Sequence, residues 1–85
     1  MQTMDVKKLT NENAIELYVK ADCPYCAEAR SYYDRHKIRY QAYDAQRDAS
    51  VRKKMLALTG GDPTVPAIVV DGKYVQSGWG EPPRG

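Results

Sequence analysis

The sequence has no run of apolar residues near the roughly 20 needed to cross a bilayer as a helix. Its polar opening, MQTMDVKKLTNEN, also lacks the apolar core of a secretory signal. A cytosolic location and no membrane partner are therefore expected. Charge of one sign is missing too: 13 basic residues stand against 11 acidic ones, a net charge of +2. A nucleic-acid binder concentrates basic residues on one face. Lys7-Lys8 and Arg52-Lys53-Lys54 read instead as solvated surface, and no nucleic-acid partner is expected. Histidine is single and cysteine is scarce, with only two. A structural zinc site takes four ligands, so Cys23, Cys26 and His36 fall short of one and no metal is expected, although a site shared between chains stays open. A structural disulfide is rare in a reducing cytosol, and one closing so small a loop constrains the unfolded chain little. The two cysteines point to redox chemistry.

With 85 residues the chain has room for one domain, residues 1–85. Residues 14–20, AIELYVK, carry the β-branched and aromatic side chains of a buried strand. A helix is expected from Pro24, a residue favoured at the first helical position, to about Lys37. IRYQAYD, 38–44, alternates as a second strand. Asp48 can cap a second helix that runs to Thr59 and ends at Gly60-Gly61. Two strand-like runs then flank Asp71-Gly72, a strong hairpin signal. The order is β-α-β-α-β-β, with a right-handed βαβ unit followed by a hairpin that extends the same sheet. Residues 79–85 are expected to be a loose tail.

Cys23 and Cys26 are three apart at a helix start, and residues so spaced are neighbours on one helix face. Cys23 lies where unpaired N–H groups and the helix dipole favour negative charge, an environment that lowers a cysteine pKa from near 8.5 to about 3.5–7.5. Cys26, one turn inside, is expected to be more buried. The asymmetry makes Cys23 the attacking thiol and Cys26 the resolving one.

Pro66 stands where a strand begins. A cis bond there would turn the main chain of Val65 outward, free to pair with an extended peptide-like substrate. Lys20 could stabilise the thiolate or hold an anionic carboxylate. Asp22 opposes it, since a carboxylate beside Cys23 raises the thiol pKa and repels anions. Tyr25 is expected to be an exposed aromatic beside the nucleophile. Gly78 and Gly80 permit a tight turn whose N–H groups can hold a carboxylate, with Trp79 between them covering the site or closing the core.

Lys20-Ala21-Asp22-Cys23-Pro24-Tyr25-Cys26, then Thr64-Val65-Pro66, then Gly78 in the final turn, resembles the glutaredoxin family over nearly the whole chain. The resemblance implies an α/β, thioredoxin-like fold, a four-stranded mixed sheet with flanking helices. It implies a disulfide oxidoreductase with no tightly bound cofactor and with glutathione as co-substrate, acting on protein disulfides and glutathione mixed disulfides. Lys20 would meet the glycine carboxylate of glutathione, and Tyr25 and Thr64 would line the site. The main chain of Val65, before a cis Pro66, would pair with the cysteinyl part. Gly78 and Trp79 would hold the γ-glutamyl end through their N–H groups.

The chain departs from the family at its end. Ser77-Gly78-Trp79-Gly80-Glu81 replaces the usual Gly-Gly-x-Asp, leaving Glu81 as the candidate for the aspartate, and the C-terminal helix is missing. The expected state is a monomer whose thinly covered sheet face could favour weak self-association. Tryptophan in the last turn also resembles the glutaredoxin-like electron donors of ribonucleotide reductase, which are fed by thioredoxin reductase. Two further alternatives are a carrier of an iron–sulfur cluster held between chains by Cys23 and glutathione, and a non-catalytic redox-sensing domain.

Overall fold

A computed structural model describes residues 5–85. Residues 1–4 of the polar opening stretch lie outside the described residues. The first strand, β1 (Ile15–Val19), buries Ile15, Leu17, Tyr18 and Val19 and so fills both of its faces. A chain buried on both sides needs neighbours on both edges. It has β2 (Gln41–Asp44) parallel on one and β3 (Ala67–Val70) antiparallel on the other, with β4 (Lys73–Ser77) outermost, in the order β2-β1-β3-β4. Asp71 and Gly72 join β3 to β4 with φ of 53° and 81°. Such a pair of positive φ values makes the tight two-residue hairpin expected of Asp-Gly. All four β3 residues are buried.

Two helices flank this sheet. In α1 (Pro24–Arg35), Cys26, Ala29 and Tyr33 are buried, at the spacing of one helical face. The helix stops two residues before the expected Lys37. Lys37 turns to a φ of 55°, and the Ile38 N–H closes on the Tyr33 carbonyl at 2.9 Å, a left-handed C-terminal closure. The second strand is also shorter than expected. Residues 38–40 lie outside it, and the Asn11 amide holds the chain on either side of Ile38, donating to the Lys37 carbonyl at 3.0 Å and accepting the Arg39 N–H at 2.8 Å. In α2 (Ala49–Thr59), Asp48 caps the start by accepting the Ser50 and Val51 N–H groups at 3.0 and 3.2 Å, and Gly60 closes the end at a φ of 73°.

Residues 78–85, which follow β4, contain no helix, and residues 79–85 are not loose. Trp79 is buried among Tyr32 and Tyr33, each ring centre 5.6 Å away. It forms an antiparallel bridge to Arg84. The bond to the tail is made by main chain, which leaves no pattern of apolar residues to read. No helix of the described residues is long and apolar enough to cross a membrane.

Candidate active site

The strand β1 delivers Lys20 at its end. The chain then turns through Asp22, at a φ of 58° that aspartate tolerates better than most residues, and starts α1. Cys23 is the N-cap and Pro24 the first helical residue. The cap is the cysteine sulfur itself: Cys23 Sγ accepts the Cys26 N–H at 3.2 Å. That bond satisfies one of the N–H groups left without a partner in the first turn of α1. The turn before it is held by Gln46, whose Oε1 accepts the Ala21 N–H at 3.2 Å.

Cys26 has the opposite surroundings. It is 2% exposed, and burial, then the neighbouring Cys23 sulfur, push its thiol up to about 12. The expected asymmetry of position is present, with Cys23 half-buried at the surface and Cys26 within the core. Both thiols are free.

The loop 60–66 brings Thr64, Val65 and Pro66 to the same place. The Val65–Pro66 peptide bond is cis. The Val65 carbonyl lies 3.8 Å from Cys23 Sγ, in line to accept its S–H. Thr64 gives its N–H to Asp62 Oδ1 at 2.9 Å, and its bonds hold the Asp62 carboxyl below the ordinary range. An open groove of about 480 Å³ beside Cys23 is lined by Lys20, Asp22, Cys23, Pro24, Cys26 and Arg30 among others. Lys20 and Asp22 thus share the groove with the sulfur, as expected of opposing charges. Arg30 was missed in the sequence. It stands seven residues after Cys23 and four after Cys26, a spacing that places all three on one helix face.

Several expectations need correction. Tyr25 is half-buried and packs against the core rather than standing free. Of the two placements expected for Trp79, the core is the one found: it is 4% exposed, with Lys7 Nζ 5.7 Å over its ring. The N–H groups expected to hold a γ-glutamyl carboxylate are engaged inside the chain: Gly78 donates to the Pro66 carbonyl and Trp79 to the Arg84 carbonyl, each at 2.8 Å. Glu81 is exposed, in the loop closed by the Trp79–Arg84 bridge. His36 is the C-cap of α1, at the far end of a 12-residue helix from Cys23, about 18 Å along the axis. Among the described residues no three His, Cys, Asp or Glu side chains converge as a metal-binding group.

A mixed sheet with flanking helices, a helix-capping cysteine with its partner one turn inside, and a cis proline facing them define a thioredoxin-like disulfide-exchange domain. The comparisons with known proteins narrow the class. The glutaredoxin family model matches residues 15–75. A glutaredoxin of Ricinus communis is 30% identical over 77 residues, covering 88% of this chain and 76% of its own. Glutaredoxin 3 of Escherichia coli (strain K12) is 30% identical over 61 residues, 72% of each chain. Among solved structures, a buckwheat glutaredoxin–glutathione complex superposes with a TM-score of 0.65 at 26% identity, over 84% of this chain and 66% of that one. A thioredoxin-like protein gives a TM-score of 0.68 at 28% identity, over 80% and 90%. The chain belongs to the glutaredoxin family, whose members are thiol–disulfide oxidoreductases.

Proposed function

We propose that the protein is a glutathione-dependent oxidoreductase that reduces protein disulfides and glutathione mixed disulfides, with Cys23 as nucleophile and Cys26 as resolving thiol. One observation carries the reading. The Cys23 sulfur caps a helix, takes the Cys26 N–H at 3.2 Å and faces the Val65 carbonyl at 3.8 Å. Glutathione is supported by the cationic Lys20 and Arg30 in the adjoining groove, and by the buckwheat relative described in complex with glutathione. The proposed compartment is the cytosol, where a reducing pool keeps such dithiols reduced.

The Cys23 thiolate attacks one sulfur of the substrate disulfide. A Cys23–substrate disulfide forms, and the other half leaves as a thiolate that takes a proton from solvent. Cys26 then gives up its proton and attacks the Cys23 sulfur. The Cys23–Cys26 bond forms, the second half leaves as a thiol, and two electrons have passed from dithiol to substrate. Engagement of Cys23 in the mixed disulfide removes one of the two influences that hold the Cys26 proton, and burial remains. Two glutathione molecules return the electrons. The first opens the Cys23–Cys26 bond to a Cys23–glutathione disulfide, and the second removes that as oxidised glutathione. Lys20 and Arg30 attract the carboxylates of the tripeptide, and the Val65 main chain pairs with its cysteinyl part.

The engaged N–H groups of Gly78 and Trp79 favour a second reading, a glutaredoxin-like electron donor fed by thioredoxin reductase. An NADPH-coupled assay on a glutathione mixed disulfide separates the two. Turnover with glutathione and glutathione reductase is expected. Turnover with thioredoxin reductase alone would transfer the assignment to the second reading.

A further inference from the structure

The segment that follows β4 returns to the site and pairs with it. The Trp79 N–H donates to the Arg84 carbonyl at 2.8 Å, and the Arg84 N–H donates to the Trp79 carbonyl at 3.0 Å. This reciprocal exchange is an isolated antiparallel bridge that closes the turn 79–84 and folds the following residue back onto the site. Gly78 permits the approach, since a Cβ there would stand 2.7 Å from the Arg84 nitrogen and 2.9 Å from the Pro83 carbonyl carbon. The next residue, Gly85, lies directly against the Val65 carbonyl, and a Cβ on it would collide with that oxygen and with Thr64 Cγ2 at 2.5 Å. The chain's own Arg84 and Gly85 thus lie against Gly78 and Trp79 and against Thr64 and Val65, of which Val65 is the residue read above as pairing with substrate.

We propose that Arg84 and Gly85 determine specificity by occupying, as an intramolecular strap, the Val65 main chain with which a peptide-like disulfide must pair. The proposal rests on the reading of Val65 as the pairing residue given above. A tethered occupant has a high effective concentration. The apparent dissociation constant of a competing ligand is its intrinsic value divided by the fraction of molecules whose strap is open. A strap closed in about nine molecules of ten weakens such a ligand about tenfold. A disulfide without peptide groups gains nothing from the Val65 main chain and reaches Cys23 without that loss.

The test follows the pre-steady-state reaction of the reduced protein with two oxidants, oxidised glutathione and bis(2-hydroxyethyl) disulfide. Gly85→Val adds a side chain that collides with the Val65 carbonyl, and Arg84→Pro removes the N–H given to Trp79. Both variants should react about tenfold faster with oxidised glutathione and at the unsubstituted rate with the small disulfide. Equal acceleration with both oxidants, or no gain with oxidised glutathione, overturns the proposal. A readout without those substitutions guards against misfolding. In the Cys26→Ser chain, amide exchange at Arg84 should quicken when glutathione is attached to Cys23, and unchanged protection there overturns the proposal as well. No reductase is used, so a chain fed by thioredoxin reductase can still pass or fail.

Discussion

The backbone N–H of Cys26 points at the sulfur of Cys23 from 3.2 Å, so the buried cysteine is tied to the exposed one through its main chain before either exchanges an electron. Cys26 itself is buried and Cys23 only half-buried. The pair divides its labour by position on the first turn of α1, and the consequences are measurable.

Burial and the Cys23 sulfur push the Cys26 thiol up to about 12. A raised thiol pKa means that the protonated, unreactive form persists as pH rises, because only the thiolate is nucleophilic. Limited treatment of the reduced native protein with iodoacetamide at about pH 8 should therefore spare Cys26 and label Cys23 alone. Mass spectrometry of the digested peptide reads the outcome, and equal labelling of both cysteines would contradict the asymmetry.

The roles also separate by substitution. Cys23→Ser should reduce turnover on every disulfide to the uncatalysed rate. Cys26→Ser should retain reduction of glutathione mixed disulfides, which a single thiol can complete, and lose reduction of intramolecular protein disulfides. Equal loss in both variants on both substrates would sink the assignment.

Lys20 and Arg30 line the groove beside Cys23. A hydrogen bond to a charged group contributes about 1.5–3 kcal/mol. Lys20→Gln should accordingly raise KM for a glutathione mixed disulfide by about tenfold or more, and leave the rate with an uncharged disulfide nearly unchanged. A KM equal to that of the unsubstituted protein would remove Lys20 from the binding site.

The Tyr33 hydroxyl, fully buried, donates to the Val6 carbonyl at 2.7 Å and ties the N-terminal segment to α1. Tyr33→Phe leaves that buried carbonyl without its partner, at a cost of about 1–3 kcal/mol. Each kcal/mol lowers Tm by about 4–8 °C in a domain of this size. Thermal unfolding should show the loss, with the Cys23 reaction rate unaltered.

Acid should destabilise the fold for a local reason. Asp44 is held below the ordinary carboxylate range by the Arg47 and Gln46 N–H groups, Asp48 by Ser50 and the Val51 N–H, and Asp71 by the Ala14 N–H and the Asn13 amide. Asp62 is held low by Thr64. A depressed pKa in the folded state means that the unfolded chain takes up protons first. The stabilisation is complete above the unfolded value near 3.9 and is lost as pH falls through the folded values. Tm should be level from neutral pH to about 5 and decline below about 4. A profile flat to strong acid would contradict this.

Local chemistry made much of this legible in the sequence. Asp48 caps α2, Asp71-Gly72 turns the hairpin and Pro24 opens α1 because each acts within a few residues of itself. The features that escaped are made at a distance. The Asn11 amide holds Lys37 and Arg39, 26 and 28 residues on. Gln46 steadies Ala21 from the next connection. The final segment is held by main-chain bonds between Trp79 and Arg84, which no side-chain pattern announces. Arg30 was readable in principle from its helical spacing to Cys23, had the whole face of α1 been followed.

The most direct measurement is to trap the first covalent step. Cys26→Ser protein is incubated with oxidised glutathione, desalted and analysed by intact and peptide mass spectrometry. The account predicts one glutathionyl group per chain, attached to Cys23 and removed by added glutathione. A chain that stays unmodified, or carries the group only elsewhere, would contradict it.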